Sequence, residues 1–159
     1  MLVRAARAED AALYLEFLRD VAAEDLRMRF FGRVEELSAA ELERIAHPDY
    51  ERELVLVALE EAGGRLLGIA RLRTDLDEQN AEYAILVRSR LKGRGLGWLL
   101  MQRVIASARE RNLRRVYGDV LADNAGMLQM CAELGFRAQD WGPDFKRVIL
   151  DLAATGRTR

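Results

Sequence analysis

Lys92-Gly93-Arg94-Gly95-Leu96-Gly97 has the residue types and spacing to hold an anion. Glycines let a bulky phosphate approach the main chain closely. Directly after them, Leu96, Leu99, Leu100, Val104, Ile105 and Ala108 recur at helical spacing and predict a helix with one buried face. The first N–H groups of a helix have no internal partner and carry partial positive charge. The chemistry that follows is a phosphate-bearing ligand lying against the start of this helix. Two common nucleotide signatures, G-x-G-x-x-G and G-x-x-x-x-G-K-[ST], do not fit the glycine spacing. Just upstream, Glu82 enters a stretch that is otherwise apolar from residue 81 to 87. A carboxylate in such a place is unusual and is a candidate acid–base group, unless it is solvated at an edge or paired with an arginine.

Elements must carry these groups. Residues 81–87 read as a strand, joined by a short polar link to the glycine run and its helix. A strand over Val116-Tyr117-Gly118-Asp119-Val120 comes next, then Asn124 and a second helix closing in Leu134-Gly135-Phe136. Ahead of them, residues 2–7 fit a first strand, and Ala8-Glu9-Asp10 opens a helix with acids in its first turn and Leu13, Phe17, Leu18 and Val21 as its apolar stripe. Helical pieces are expected at 23–31, stopping at Gly32, and from the capping box Ser38-Ala39-Ala40-Glu41 through Ile45, ended before Pro48. Strands follow at 53–60 and 65–73 around a turn at Gly63-Gly64. The acidic loop Asp75-Leu76-Asp77-Glu78-Gln79-Asn80 then leads into the central strand. A last strand is expected at 145–152, and the polar tail 153–159 should fray. With no repeat or linker in view, the reading is one α/β domain over residues 1–152.

Bulk composition narrows the class. A chain of 159 residues fits one domain with a substantial core. Its net charge of −1 provides no basic field to hold nucleic acid. Neither a run of 18 apolar residues nor a basic-then-apolar leader is present, so no membrane association is expected. Cys131 is the sole cysteine, which excludes an internal disulfide and suits a reducing cytoplasm. One His and one Cys also argue against a structural zinc site, so no metal is expected.

The run Lys92-Gly93-Arg94-Gly95-Leu96-Gly97 resembles the Q/R-x-x-G-x-G/A signature of the GNAT acetyltransferases, with Lys92 in the Gln/Arg slot. Asn124, eleven residues before the Gly135-Phe136 pair, is similar to the second half of the acetyl-CoA site in that superfamily. The resemblance implies a single GNAT domain of mixed α/β (α+β) class: a central β-sheet flanked by helices, with a splayed strand pair at the acetyl-CoA site. It implies direct transfer of acetyl from acetyl-CoA, as cosubstrate, to an amine without a metal or a covalent enzyme intermediate. The backbone of Ile85, Leu86 and Val87 would bind the pantetheine arm as an added strand would. Main-chain N–H groups of Gly93, Arg94, Gly95, Leu96, Gly97 and Trp98 would hold the pyrophosphate, and the Asn124 amide would contact the cofactor arm. Such an amine must lose its proton to a base. The best candidate is Glu82, beside the cofactor strand in an apolar stretch, with Asp75, Asp77 and Glu78 as alternatives. Many members place a tyrosine four or five residues before the Gly-Phe pair to protonate the leaving thiolate. Here Cys131 occupies that slot, which leaves Tyr117 and Tyr83 as substitutes, Tyr83 being better suited to the core. Cys131 itself fits helix packing better than nucleophilic chemistry, because no His is near in sequence.

A narrower resemblance concerns the acceptor. Leu26-Arg27-Met28-Arg29-Phe30-Phe31-Gly32, Asp49-Tyr50-Glu51-Arg52-Glu53 and Ala81-Glu82-Tyr83 look like the GNAT domain of bacterial Pat-type protein lysine acetyltransferases. That likeness implies a protein partner, a lysine of an acyl-CoA synthetase-type target, with Glu82 as the catalytic glutamate. No synthetase-like or nucleotide-sensing domain accompanies it in this sequence, so such regulation is expected to be absent or supplied in trans. Two other readings stay open: acetylation of a small amine or amino acid, and an acyl-CoA sensor without turnover. Trp98 could touch the cofactor or cover the helix start, Trp141 could line the acceptor cleft or cap the core, and His47 reads as exposed. Nothing in the chain specifies an oligomeric state.

Overall fold

The computed structural model describes residues 1–19, 52–61, 64–88 and 95–152. The expected helices at 23–31 and 38–45, His47, Lys92, Gly93, Arg94 and the tail 153–159 lie outside the described residues. Strand β1 covers Leu2–Ala5; a 3₁₀ turn, Ala8–Asp10, leads into α1, Ala11–Arg19. Strands β2 (Glu53–Leu59), β3 (Leu66–Thr74) and β4 (Asn80–Val87) follow, then α2 (Leu96–Glu110), β5 (Arg115–Leu121), α3 (Ala125–Glu133), β6 (Arg137–Asp140) and β7 (Phe145–Asp151). These strands form one sheet of order β1-β2-β3-β4-β5-β7-β6. All neighbours are antiparallel except β4 and β5, so the sheet is mixed, as expected from the resemblance.

Alternation along the strands gives the sheet two different faces. Ala81, Tyr83 and Ile85 of β4 join Val116 and Val120 of β5 under α2 and α3. Helix α2 buries Leu96, Leu100, Met101, Val104, Ile105 and Ala108 there, and each large side chain contributes about 1.5–3 kcal/mol. Met101 is fully buried while Leu99 is only half-buried, so the apolar stripe is rotated from the one the spacing suggested. On the other face, Tyr14 and Phe17 of α1 pack with Val55, Val57, Ile69 and Leu86. Tyr14 takes the central place in α1, with Leu13 and Leu18 at its border.

The turn into α1 is fixed by charge. Asp10, buried at 3% exposure, accepts two hydrogen bonds of 2.9 Å from Arg4 and one of 2.7 Å from the Arg7 N–H. Burial opposes the ionised carboxylate. The Arg4 side chain and the Arg7 N–H outweigh it, holding Asp10 below the usual carboxylate range.

Strand β6 was not expected. Its four residues, Arg-Ala-Gln-Asp, are all exposed, and it pairs only with β7 at the sheet edge. An edge strand without an apolar face leaves no period-two signal to read.

Candidate active site

Strands β4 and β5 pair over only three positions, Asn80 to Arg115, Ala81 to Val116 and Glu82 to Tyr117. Beyond Glu82 the two diverge: β4 continues along β3 as far as Val87, and β5 continues along β7 as far as Leu121. The side of β4 from Ala84 onward that faces β5 therefore has no strand partner among the described residues. That opening is the expected splay, and the main chain of Ile85, Leu86 and Val87 lines it.

Helix α2 begins at the mouth of the same opening. Gly95 precedes it with φ +87°, a left-handed conformation that a side chain would strain, and its carbonyl accepts the Leu99 N–H at 3.0 Å. The N–H groups of Leu96, Gly97 and Trp98 fall in the first turn, where an N–H has no partner within its own helix. A β-carbon at Gly97 would stand 3.9 Å from the Val87 Cγ2, so the helix start and the end of β4 are in direct apposition. Trp98 is half-buried in this first turn. The structure thus sets the strand segment Ile85, Leu86 and Val87 against the helix start Gly95, Leu96, Gly97 and Trp98, with Val87 and Gly97 in apposition.

At the foot of the splay, on the α2–α3 face, stands Tyr83. Its ring lies across Gly118, where a β-carbon would collide with it, and it meets Phe136 edge-on at 5.9 Å between centroids. Phe136 is delivered by the end of α3: its N–H reaches the Cys131 carbonyl at 2.9 Å and the Gly135 N–H reaches Ala132, a left-handed helix cap at Gly135. The Tyr83 hydroxyl lies 3.5 Å from the Cys131 Sγ. Burial pushes the Cys131 thiol up, and the Tyr83 contact only partly offsets it. Cys131 is therefore a buried packing residue and Tyr83 a core residue, as the sequence suggested. At the start of α3, the Asn124 Oδ1 accepts the Met127 N–H at 3.3 Å. Asn124 is an N-cap, a role that leaves its amide nitrogen for other partners.

Glu82 points to the opposite face, with Leu86, and is half-buried. Strand β4 is interior to the sheet, so the edge position considered for Glu82 does not apply. Its neighbours in register are Arg73 of β3 and Tyr117 of β5. Arg73 is turned toward Glu53, 3.9 Å away. The Tyr117 hydroxyl donates to Asp75, at 2.9 and 3.1 Å from its two carboxylate oxygens. Burial, then the Asp75 carboxylate, pushes the Tyr117 phenol well above its ordinary value, and Glu82 adds to the effect. Of the other acids in the loop, Asp77 accepts the Gln79 N–H at 2.9 Å and the Asn80 N–H at 3.3 Å, a turn-forming role. Glu78 is exposed with φ +59°.

Two groups on this face escaped sequence reasoning. Arg147 of β7 donates to Asp119 at 2.8 and 3.1 Å, and its guanidinium lies 4.7 Å from the Tyr117 ring centre and 3.9 Å from that of Trp141. Trp141, 49% exposed, stacks on this arginine instead of capping the core. Arg88, just past β4, is fully buried: it donates to the Leu66 carbonyl at 3.1 and 2.6 Å and to Glu16 of α1 at 2.9 Å. A lone charge closing an apolar run was the available signal for Arg88; Arg147 had none. Among the described residues, no group of three or more His, Cys, Asp or Glu could hold a metal ion, and no helix is long and apolar enough to cross a membrane.

Comparison with known proteins converges on one superfamily. A family model described as "Acetyltransferase (GNAT) family" matches residues 17–136. An acetyltransferase of Pseudomonas aeruginosa is 32% identical over 155 residues, covering 96% of this chain and 83% of that protein. Acetyltransferase Pat of Mycolicibacterium smegmatis is 34% identical over 108 residues, 67% of this chain but only 32% of that longer protein. Among solved structures, the GNAT domain of S. lividans PAT matches with a TM-score of 0.85 at 28% identity, over 94% of this chain and 89% of that one. The putative acetyltransferase yncA of Salmonella typhimurium, solved with acetyl-CoA, matches with a TM-score of 0.70 at 20% identity over 95% and 93% of the two chains, a likeness of fold.

Proposed function

Because the chain belongs to the GNAT acetyltransferase family, we propose that it transfers acetyl from acetyl-CoA directly to the ε-amine of a protein lysine, with Glu82 as general base. The observation that carries this reading is the position of Glu82 at the last paired rung before the splay, on the face opposite Tyr83. There a carboxylate can meet an acceptor entering from one side while a thioester lies in the opening between the strands.

A lysine-type amine ionises near 10.4, so presenting it neutral at about pH 7.5 costs about 4 kcal/mol. Glu82 takes the ammonium proton, the freed nitrogen attacks the thioester carbonyl, the C–S bond breaks, and the second proton shed by the nitrogen as it becomes an amide goes to the departing CoA thiolate. The amides of Gly93 to Trp98 receive the pyrophosphate, Lys92 standing in the Gln/Arg slot of the motif. The open side of Ile85, Leu86 and Val87 takes the pantetheine arm by strand-like hydrogen bonds. Asn124 contributes its side-chain amide to the cofactor arm.

The protein-lysine assignment is supported by the two Pat relatives, one of them alike over nearly the whole chain. Acyl-CoA synthetase-type enzymes are the targets it suggests, in a cytoplasmic setting. The test follows CoA thiol release with acetyl-CoA and a panel of acyl-CoA synthetases, polyamines and amino acids. Label confined to a synthetase lysine is the expected result. Turnover confined to free amines would replace the protein acceptor by a small one, and tight CoA binding with no turnover on any acceptor would make the domain a sensor.

A further inference from the structure

The acetyl-transfer reading uses Glu82 and the splay but leaves one chain of contacts on the same face without a task. Asp119, Arg147, Tyr117 and Asp75 are joined in series: a two-pronged ion pair, a guanidinium between two aromatic rings, and a phenol bonded to a carboxylate. We propose that Arg147 is the positioning residue of the acceptor site, locking the Tyr117 phenol in place so that a cationic primary amine is seated beside Glu82. The proposal rests on the acetyl-transfer reading and adds the group that orients the acceptor.

Four features carry it. Tyr117 is the register neighbour of Glu82, so the two side chains stand side by side on one face. A phenol has one proton, and that of Tyr117 goes to Asp75; toward anything else its oxygen can only accept. The group it meets there must therefore bring an N–H or O–H, and the neighbouring Asp75 and Glu82 carboxylates favour one with positive charge. Arg147 does not oppose this. Its charge is matched by Asp119, and its flanks are covered by Tyr117 and Trp141. Only a planar guanidinium can grip a carboxylate with two donors while stacking on rings, which is why lysine cannot replace it.

A purely structural role would be to staple β5 to the β6–β7 hairpin, and the experiment separates the two. The chain has four tyrosines, so 3-fluorotyrosine labelling gives four fluorine signals, of which Tyr117→Phe identifies one. The labelled protein is titrated with n-butylammonium, a mimic of the lysine side chain, and with n-butanol as the uncharged control. The expected result is a saturable shift of the Tyr117 signal with the ammonium and none with the alcohol. Arg147→Lys should raise the half-saturation concentration about tenfold. Should that variant not fold, Trp141→Leu removes one covering ring and is expected to raise it about threefold. On the amine acceptor that the panel selects, Arg147→Lys should raise the acceptor KM about tenfold and leave the acetyl-CoA KM unchanged. No saturable shift, equal shifts with both probes, an unchanged half-saturation, or matched losses for both substrates would overturn the proposal. Absence of turnover on every amine would instead sink the acetyl-transfer reading without touching the fluorine titration.

Discussion

Glu82 differs from its strand neighbours by one property, a charge on the half-buried face beside Tyr117 and Arg73. Glu82→Gln keeps the shape and removes the proton acceptor. Acetyl-CoA affinity by calorimetry should be unchanged while kcat falls by roughly 10²–10⁴-fold, the usual range for losing a general base. Near-normal turnover would remove Glu82 from that role. Gly118 makes a different demand, because a β-carbon there collides with the Tyr83 ring. Gly118→Ala should cost about 1–3 kcal/mol in chemical denaturation and disturb the foot of the splay. The charge at Glu82 and the glycine run were legible because they interrupt a local pattern. Arg147 and Asp119 were not: twenty-eight residues separate them, and only the β5–β7 register brings them opposite each other.

At the scale of elements, helices and interior strands could be read from periodicity, since each buries one face. Strand β6, exposed along its length, could not. The rotation of α2 toward Met101 has the same origin: the cross-sheet surface decides which of two adjacent apolar residues goes inside. Capping and ion pairs at element ends give two predictions. Asp10→Asn removes the charge that anchors Arg4 and the Arg7 N–H, and should cost about 2 kcal/mol at neutral pH. Because the folded protein holds the Asp10 carboxyl below its ordinary range, its contribution is complete above that range and is lost as pH falls through the folded value. The denaturation difference between wild type and Asp10→Asn should therefore close in acid. Arg88→Met strands the Leu66 carbonyl and leaves Glu16 with Arg65, 3.3 Å away, at the junction between α1, β3 and the end of β4. A loss of about 2–3 kcal/mol in urea denaturation is expected.

The whole molecule is a mixed sheet that opens along one seam, with a packed core on the α2–α3 face and an ionic, partly aromatic surface beside Glu82 on the other. The class and the seam were legible from strand, glycine run and helix in sequence, together with the resemblance they carried. The face around Glu82 was not, because it is assembled from β3, β4, β5 and β7 at once. If acetyl-CoA binds across the seam as proposed, it ties β4, β5 and α2 together and should stabilise the fold as a whole. At a hundredfold its Kd, the gain of about 2.7 kcal/mol corresponds to roughly 5–10 °C in Tm.

Everything proposed for this protein requires that the opening of α2 and the side of β4 beyond its pairing with β5 receive coenzyme A. The most direct measurement is the set of amide nitrogen–proton shifts on adding acetyl-CoA. Saturable changes are expected, largest at Gly95, Leu96, Gly97 and Trp98 and along Ile85, Leu86 and Val87. Saturable binding that leaves those amides unmoved, or no binding up to about millimolar ligand, a bare 4 kcal/mol of affinity, would contradict that placement.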